Sequence, residues 1–99
     1  MIKLVALYKR PEDADAFNEH YEQIHAPLMR QVPGLVRMEV TRNTQGFRGD
    51  PDYYLMAEMY FNDKESFDAA MASEENRAAG KDLMSFARPY VTMFYGEVE

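Results

Sequence analysis

Three stretches of this chain are apolar on both faces of a strand, and that pattern limits the folds open to it. In residues 2–9, Ile2, Leu4, Ala6 and Tyr8 share one face, and Val5 and Leu7 share the other with Lys3 and Lys9. In residues 53–61, Tyr53, Leu55, Ala57, Met59 and Phe61 oppose Tyr54, Met56, Glu58 and Tyr60. In residues 90–98, Tyr90, Phe94 and Val98 oppose Val91, Met93 and Tyr95. Residues 35–42 alternate more plainly, with Val36, Met38 and Val40 on one face and Arg37, Glu39 and Thr41 on the other. A strand with two apolar faces belongs inside a sheet, so residues 2–9 are expected at its centre.

Helical patterns separate these strands. Phe17, Tyr21, Ile24 and Leu28 form one apolar stripe of a 3.6-residue helix, which predicts a helix over residues 14–30 capped by Asp13 or Asp15. Pro27 has no N–H and collides with the preceding turn, so a kink and an unpaired carbonyl near Gln23 are expected. Pro33-Gly34 turns the chain into the next strand. Residues 64–71 and 74–86 form a second helical region, with Asn62 or Asp63 and then Ser73 as caps. Its inward residues are expected to be Phe67, Ala70, Met71, Ala78, Ala79, Leu83 and Phe86, and Gly80 weakens its middle. Residues 43–52 make a long loop rich in turn formers that carries Phe47 and Arg48; a functional loop and a surface connection are both open.

The order βαββαβ predicts one α+β domain over residues 1–99. It is ferredoxin-like: a four-stranded antiparallel sheet with the helices on one face. The helices leave the second apolar face bare. In so short a chain the simplest cover is a second copy, so a homodimer pairing sheet against sheet, as in a dimeric α/β barrel, is expected. Thirteen aromatic residues (7 Tyr, 6 Phe) and 8 Met are many for this length, and suit a bulky core or an adaptable apolar cavity.

A net charge of −6 repels phosphate backbones, so nucleic acid is not expected as a partner. No basic amphipathic helix suggests a membrane surface, and no apolar run is long enough for a span or a signal sequence. Cytoplasm is the expected location. The absence of cysteine removes disulfides, thiolate catalysis and thiolate metal sites.

Several of these residues together resemble the EthD family of the dimeric α/β-barrel superfamily. They are Lys9-Arg10-Pro11, Phe17-Asn18-Glu19-His20-Tyr21, His25-Ala26-Pro27-Leu28 and Pro33-Gly34-Leu35, with Phe67 and the Asp82 to Phe86 segment. The resemblance spans essentially the whole chain. It implies a ferredoxin-like protomer that pairs through its sheet, with a cleft between sheet and helices. The family takes its name from a gene associated with ether degradation. Similar folds serve muconolactone isomerases, aromatic polyketide cyclases, cofactor-free monooxygenases and haem-degrading enzymes, so fold alone selects no chemistry.

His25 is the leading catalytic candidate, because histidine exchanges protons near neutral pH and this one sits at the edge of the buried stripe. Tyr21, one turn earlier, can hydrogen-bond it or a ligand oxygen. The other reading of His25 is a core histidine bonded to a carbonyl. His20 points about 140° away around the helix, so the two histidines are not expected to share a metal. No metal site and no cofactor are expected. Tyr8, Phe17, Leu28, Tyr54, Met56 and Tyr95 are the candidate ligand wall. Glu58 is either a buried base or, preferably, a structural partner of Arg37 or Arg42. The expected function is cofactor-independent acid–base chemistry of isomerase, cyclase or oxygenase type. The substrate is a small apolar or aromatic carbonyl compound, in catabolism or polyketide-type metabolism. The alternatives are a non-catalytic binding or accessory protein for an apolar ligand in a degradation pathway, and haem binding through His25.

Overall fold

Each helical region starts where a short polar side chain takes up free amides. The Asp13 carboxylate accepts from the Ala16 N–H at 3.1 Å, Asp63 from Ser66 at 2.7 Å, and the Ser73 hydroxyl from Asn76 at 3.1 Å. Of the paired cap candidates, Asp13 and Asp63 therefore do the work. In this computed structural model, which describes residues 1–42 and 45–99, the chain runs as follows. Strand β1 (Ile2–Tyr8) leads into α1 (Ala14–His20), a π-helical turn (Tyr21–His25) and α2 (Ala26–Arg30). Strands β2 (Leu35–Arg42) and β3 (Leu55–Phe61) follow, then α3 (Lys64–Met71), α4 (Glu74–Phe86) and β4 (Val91–Glu97). Of the expected loop, Asn43 and Thr44 lie outside the described residues.

The π-helical turn is the main departure from the expected first helix, which otherwise has the predicted extent. The Ala26 N–H reaches back to the Tyr21 carbonyl, five residues away, so one extra residue is accommodated before Pro27. The proline then sits in the first turn of α2, where a missing N–H is tolerated. The wider turn also resets the buried face. At 100° per residue, positions 17, 21, 25 and 29 would drift by roughly 120°. Here Phe17, Tyr21, His25 and Met29 all stay buried. Ile24, expected in the core, is 46% exposed, and Leu28 is only partly buried.

The sheet order is β2-β3-β1-β4 with antiparallel neighbours, so β1 is central as expected. Ile2, Leu4, Ala6 and Tyr8 of β1 and Leu55, Ala57, Met59 and Phe61 of β3 form the core with Phe17, Tyr21, Phe67, Ala79 and Leu83. A register shift between Leu35 and Arg37 inserts Val36 as an extra residue. Val36 is therefore exposed, and Leu35 takes its expected place beside the core. Along α4 the buried positions are Ala79 and Leu83, with Ala87 buried just beyond its end, and Ala78 turns out to solvent. The opposite sheet face carries Val5, Leu7, Met56, Tyr60 and Phe94, with Lys3 bonded to Glu58 at 2.9 Å. Glu58 thus pairs with Lys3, not with Arg37 or Arg42. Arg37 lies over the Tyr60 ring at 3.9 Å, and Arg42 bonds Asn18 and Glu22 on the first helix.

The turn out of α2 depends on Gly34, whose φ of +83° is a conformation that L side chains rarely adopt. Gly34→Ala is expected to lower unfolding free energy by about 1–2 kcal/mol. Urea denaturation measures it directly, and an unchanged midpoint would show that the turn relaxes.

Candidate functional site

Where the first helical rod and α4 cross the sheet, side chains do not fill the space between them. The gap is a cavity of about 330 Å³. Its floor is Leu4, Ala6, Tyr8, Met38, Ala57, Met59 and Met93 of the sheet; Tyr21, His25 and Met29 form one wall, and α4 the other. Six of the eight methionines line it, and no Lys, Arg, Asp or Glu does so among the described residues. Thioether chains adapt to a guest's shape, and the missing charges disfavour an ionic one. Met84 and Met93 are 45% and 43% exposed, so the cavity reaches the surface beside them.

His25 is 4% exposed and meets the cavity because the π-helical turn rotates it inward. Its Nδ1 lies 3.1 Å from Oδ2 of Asp82 on α4. The other oxygen, Oδ1, lies 2.8 Å from Nε2 of His20. A carboxylate only accepts, so both histidines donate, and His25 carries its proton on Nδ1. Its Nε2 then keeps a free lone pair. The Phe86 ring packs on both histidines, at 4.2 Å from His20 and 5.3 Å from His25. Burial holds the His25 imidazolium below its ordinary range; the Asp82 hydrogen bond and charge offset part of this, and nearby His20 adds to the lowering. Neutral imidazole therefore dominates at pH 7. His20, expected to point away from His25, thus converges with it on one carboxylate. Among the described residues, no group of three or more His, Cys, Asp and Glu side chains is arranged to hold a metal ion.

Tyr21 is buried beside His25, with ring centres 5.6 Å apart, and its hydroxyl has no hydrogen-bond partner among the described residues. Burial pushes its pKa up to about 12 against the opposing fields of Arg30 and Arg42, so it stays a protonated donor. Tyr8, stacked edge-on at 5.6 Å, is raised further by burial. An unpaired buried hydroxyl is destabilising by about 1–3 kcal/mol. Tyr21→Phe is therefore expected to raise the melting temperature of the empty protein. A lower melting temperature would mean that the hydroxyl is already satisfied.

Of the residues expected at the site, His25, Tyr21 and Tyr8 converge on this cavity. Phe17 is buried in the core, against Tyr8 and Phe86. Leu28 packs beside the core on the flank of α2. Tyr54 points out of the cavity to hydrogen-bond Asn18 at 2.8 Å, with Arg10 over its ring. Met56 pairs with Leu7 on the opposite sheet face, and Tyr95 lies half exposed against Phe67. Asp82 entered the sequence reading only as part of the family resemblance and without a role, and the methionines only as a group suited to a cavity, with Met56 alone named for the wall. Asp82 had one local signal: it is an acid three residues after Ala79 and four before Phe86, at the margin of a buried stripe.

The model of the EthD domain matches residues 9–89. An uncharacterized 11.0 kDa protein from the thcB-thcC intergenic region of Rhodococcus erythropolis is 33% identical over 99 residues, covering 100% of this chain and 96% of its own. The crystal structure of an ethyl tert-butyl ether d (ethd) family protein from Bacillus halodurans is 49% identical. It covers 100% of this chain and 99% of its own, with a TM-score of 0.96. A dimeric ferredoxin-like protein of unknown function from Jannaschia sp. shares the fold at 23% identity and a TM-score of 0.68, covering 98% and 97% of the two chains. No helix among the described residues is long and apolar enough to cross a membrane. By the extent of the domain match and the identity of these relatives, the chain belongs to the EthD family.

Proposed function

We propose that the cavity performs acid–base chemistry on a small, uncharged carbonyl or aromatic compound. His25 is the proton carrier and the Tyr21 hydroxyl positions the substrate oxygen. One observation carries this reading: an Asp82-anchored His25 beside an unpartnered buried hydroxyl, in a lining free of charge among the described residues. The His25 Nε2 lone pair takes a proton from the carbon next to the carbonyl. The electron pair moves onto the oxygen, where the Tyr21 O–H donates to the developing enolate. Asp82 stabilises the imidazolium formed. Returning the proton to another carbon gives isomerisation, and attack of the enolate on a second carbonyl gives cyclisation.

Incubation with 2-decanone in D2O tests this, since the reading expects protein-dependent loss of the α-proton signals in NMR spectra. The methionine lining also favours a second reading, a binding or accessory protein for an apolar ligand. Ketone that binds but exchanges only at the buffer rate would select that reading.

We also infer that two copies pair through the outer sheet face. Val5, Leu7, Met56 and Phe94 make it apolar, and Phe94 is 52% exposed in a single chain. The Jannaschia neighbour, which shares the fold, is itself dimeric, in support of the same reading. At micromolar concentration, sedimentation should give twice 11.5 kDa, and Phe94→Lys should shift it towards one chain. A wild-type monomer would sink the pairing.

A further inference from the structure

Gly80 stands in the middle of the 13-residue helix α4, where glycine is less stable than alanine. The usual reasons for keeping one do not apply. Its φ is not positive; among the described residues only Gly34 and Gly49 have that conformation. Nothing packs close against it either, since an added Cβ would meet no atom within 4 Å. What Gly80 does have is a place in the cavity wall, beside Ala79, Leu83 and Met84 of the same helix. On α4 the one polar lining side chain among the described residues is Asn76, whose amide already donates to the Met71 carbonyl at 3.2 Å; the other polar groups of the site, Tyr8, Tyr21 and His25, come from β1 and the first rod, on other sides of the cavity. A ligand whose oxygen meets Tyr21 and His25 therefore has its apolar part left for the α4 wall.

We propose that Gly80 is a specificity-determining residue. By withholding a side chain from the α4 wall, it sets how much apolar bulk an uncharged, single-oxygen ligand can carry. This rests on the assignment of the cavity as the ligand site, and not on turnover there. The helix gives up stability at this position in exchange for open volume, so stability and ligand capacity move in opposite directions when the volume is filled.

The test uses the whole chain with methionines labelled with ¹³C at the methyl group, and 2-heptanone, 2-decanone and 2-tridecanone as probes. Six methionines report on the cavity, and Met1 and Met56, outside its lining, serve as controls. Gly80→Ala should melt about 2–8 °C higher, as expected for an unstrained glycine-to-alanine change in a domain of this size. It should weaken binding of the longest ketone by about 10–200-fold, the range for one methylene in an apolar pocket, and leave 2-heptanone nearly unchanged. Gly80→Leu should extend the loss to 2-decanone. Equal affinities for all three ketones in Gly80→Ala and wild type would overturn the role of Gly80 alone. A lower melting temperature in Gly80→Ala would overturn the open geometry beneath it. Wild-type protein that takes up none of the ketones would overturn the cavity assignment itself, and the proposal with it.

Discussion

Replacing His25 with asparagine is expected to reduce protein-dependent α-proton exchange of 2-decanone by about 10²–10⁴-fold, the usual contribution of one positioned acid–base group. The asparagine amide N–H can donate to Asp82 as the ring Nδ1–H does, so the bridge from His20 through Asp82 stays supported. It has no basic nitrogen to replace Nε2. Ketone affinity, read from the methionine methyl signals, should change by only a few-fold. Exchange that persists in His25→Asn would remove the histidine from the chemistry. Loss of the fold would instead make it a core residue, and a urea melt of the same protein separates the two. In the wild type, the base is active when neutral. Because burial lowers its pKa, the exchange rate should rise with pH below the ordinary histidine range and be level near pH 7.

Asp82→Asn should be nearly as damaging to exchange, through the histidine and not through contact with the ligand. An asparagine can donate to Nδ1, which moves the ring proton to Nε2 and turns the base facing the cavity into a donor. In a comparable histidine–aspartate pair, that change lowers turnover by about 10⁴-fold. Losing the charge-assisted bonds to His20 and His25 should also lower stability by about 1–3 kcal/mol. The pH dependence has a definite sign. The His25 pKa is lower folded than unfolded, so between those two values the unfolded chain binds more protons. Its contribution is fully present above the unfolded value, near 6.5, and is lost as pH falls towards the folded value. Asp82 raises the folded value through its hydrogen bond and charge. Without it the folded value drops further, and acid destabilisation should continue to lower pH. Urea midpoints measured across the acid range in both proteins check this; parallel curves would mean that Asp82 does not set the His25 equilibrium.

The extent of the first helix was legible because caps and breakers act on neighbours: Asp13 starts it, and Pro33-Gly34 ends the turn beyond. Its face was misread after Tyr21. A 3.6-residue period places Ile24 inside, and only the π-helical turn, stabilised within a packed rod, puts His25 and Met29 there instead. Met56 failed as a wall residue for a related reason. Strand alternation separates two faces without saying which one meets the helices.

From the sequence by itself follow the element order, the antiparallel sheet with a central first strand, and the excess of apolar surface on that sheet. These depend on side-chain periodicity and turn chemistry, which are local. Only the tertiary structure brings Asp82 to His25, 57 positions apart in the chain, and leaves the Tyr21 hydroxyl unpaired next to them. It alone also opens the space in front of Gly80. A cavity is volume that distant elements fail to fill, and no run of neighbouring residues encodes it.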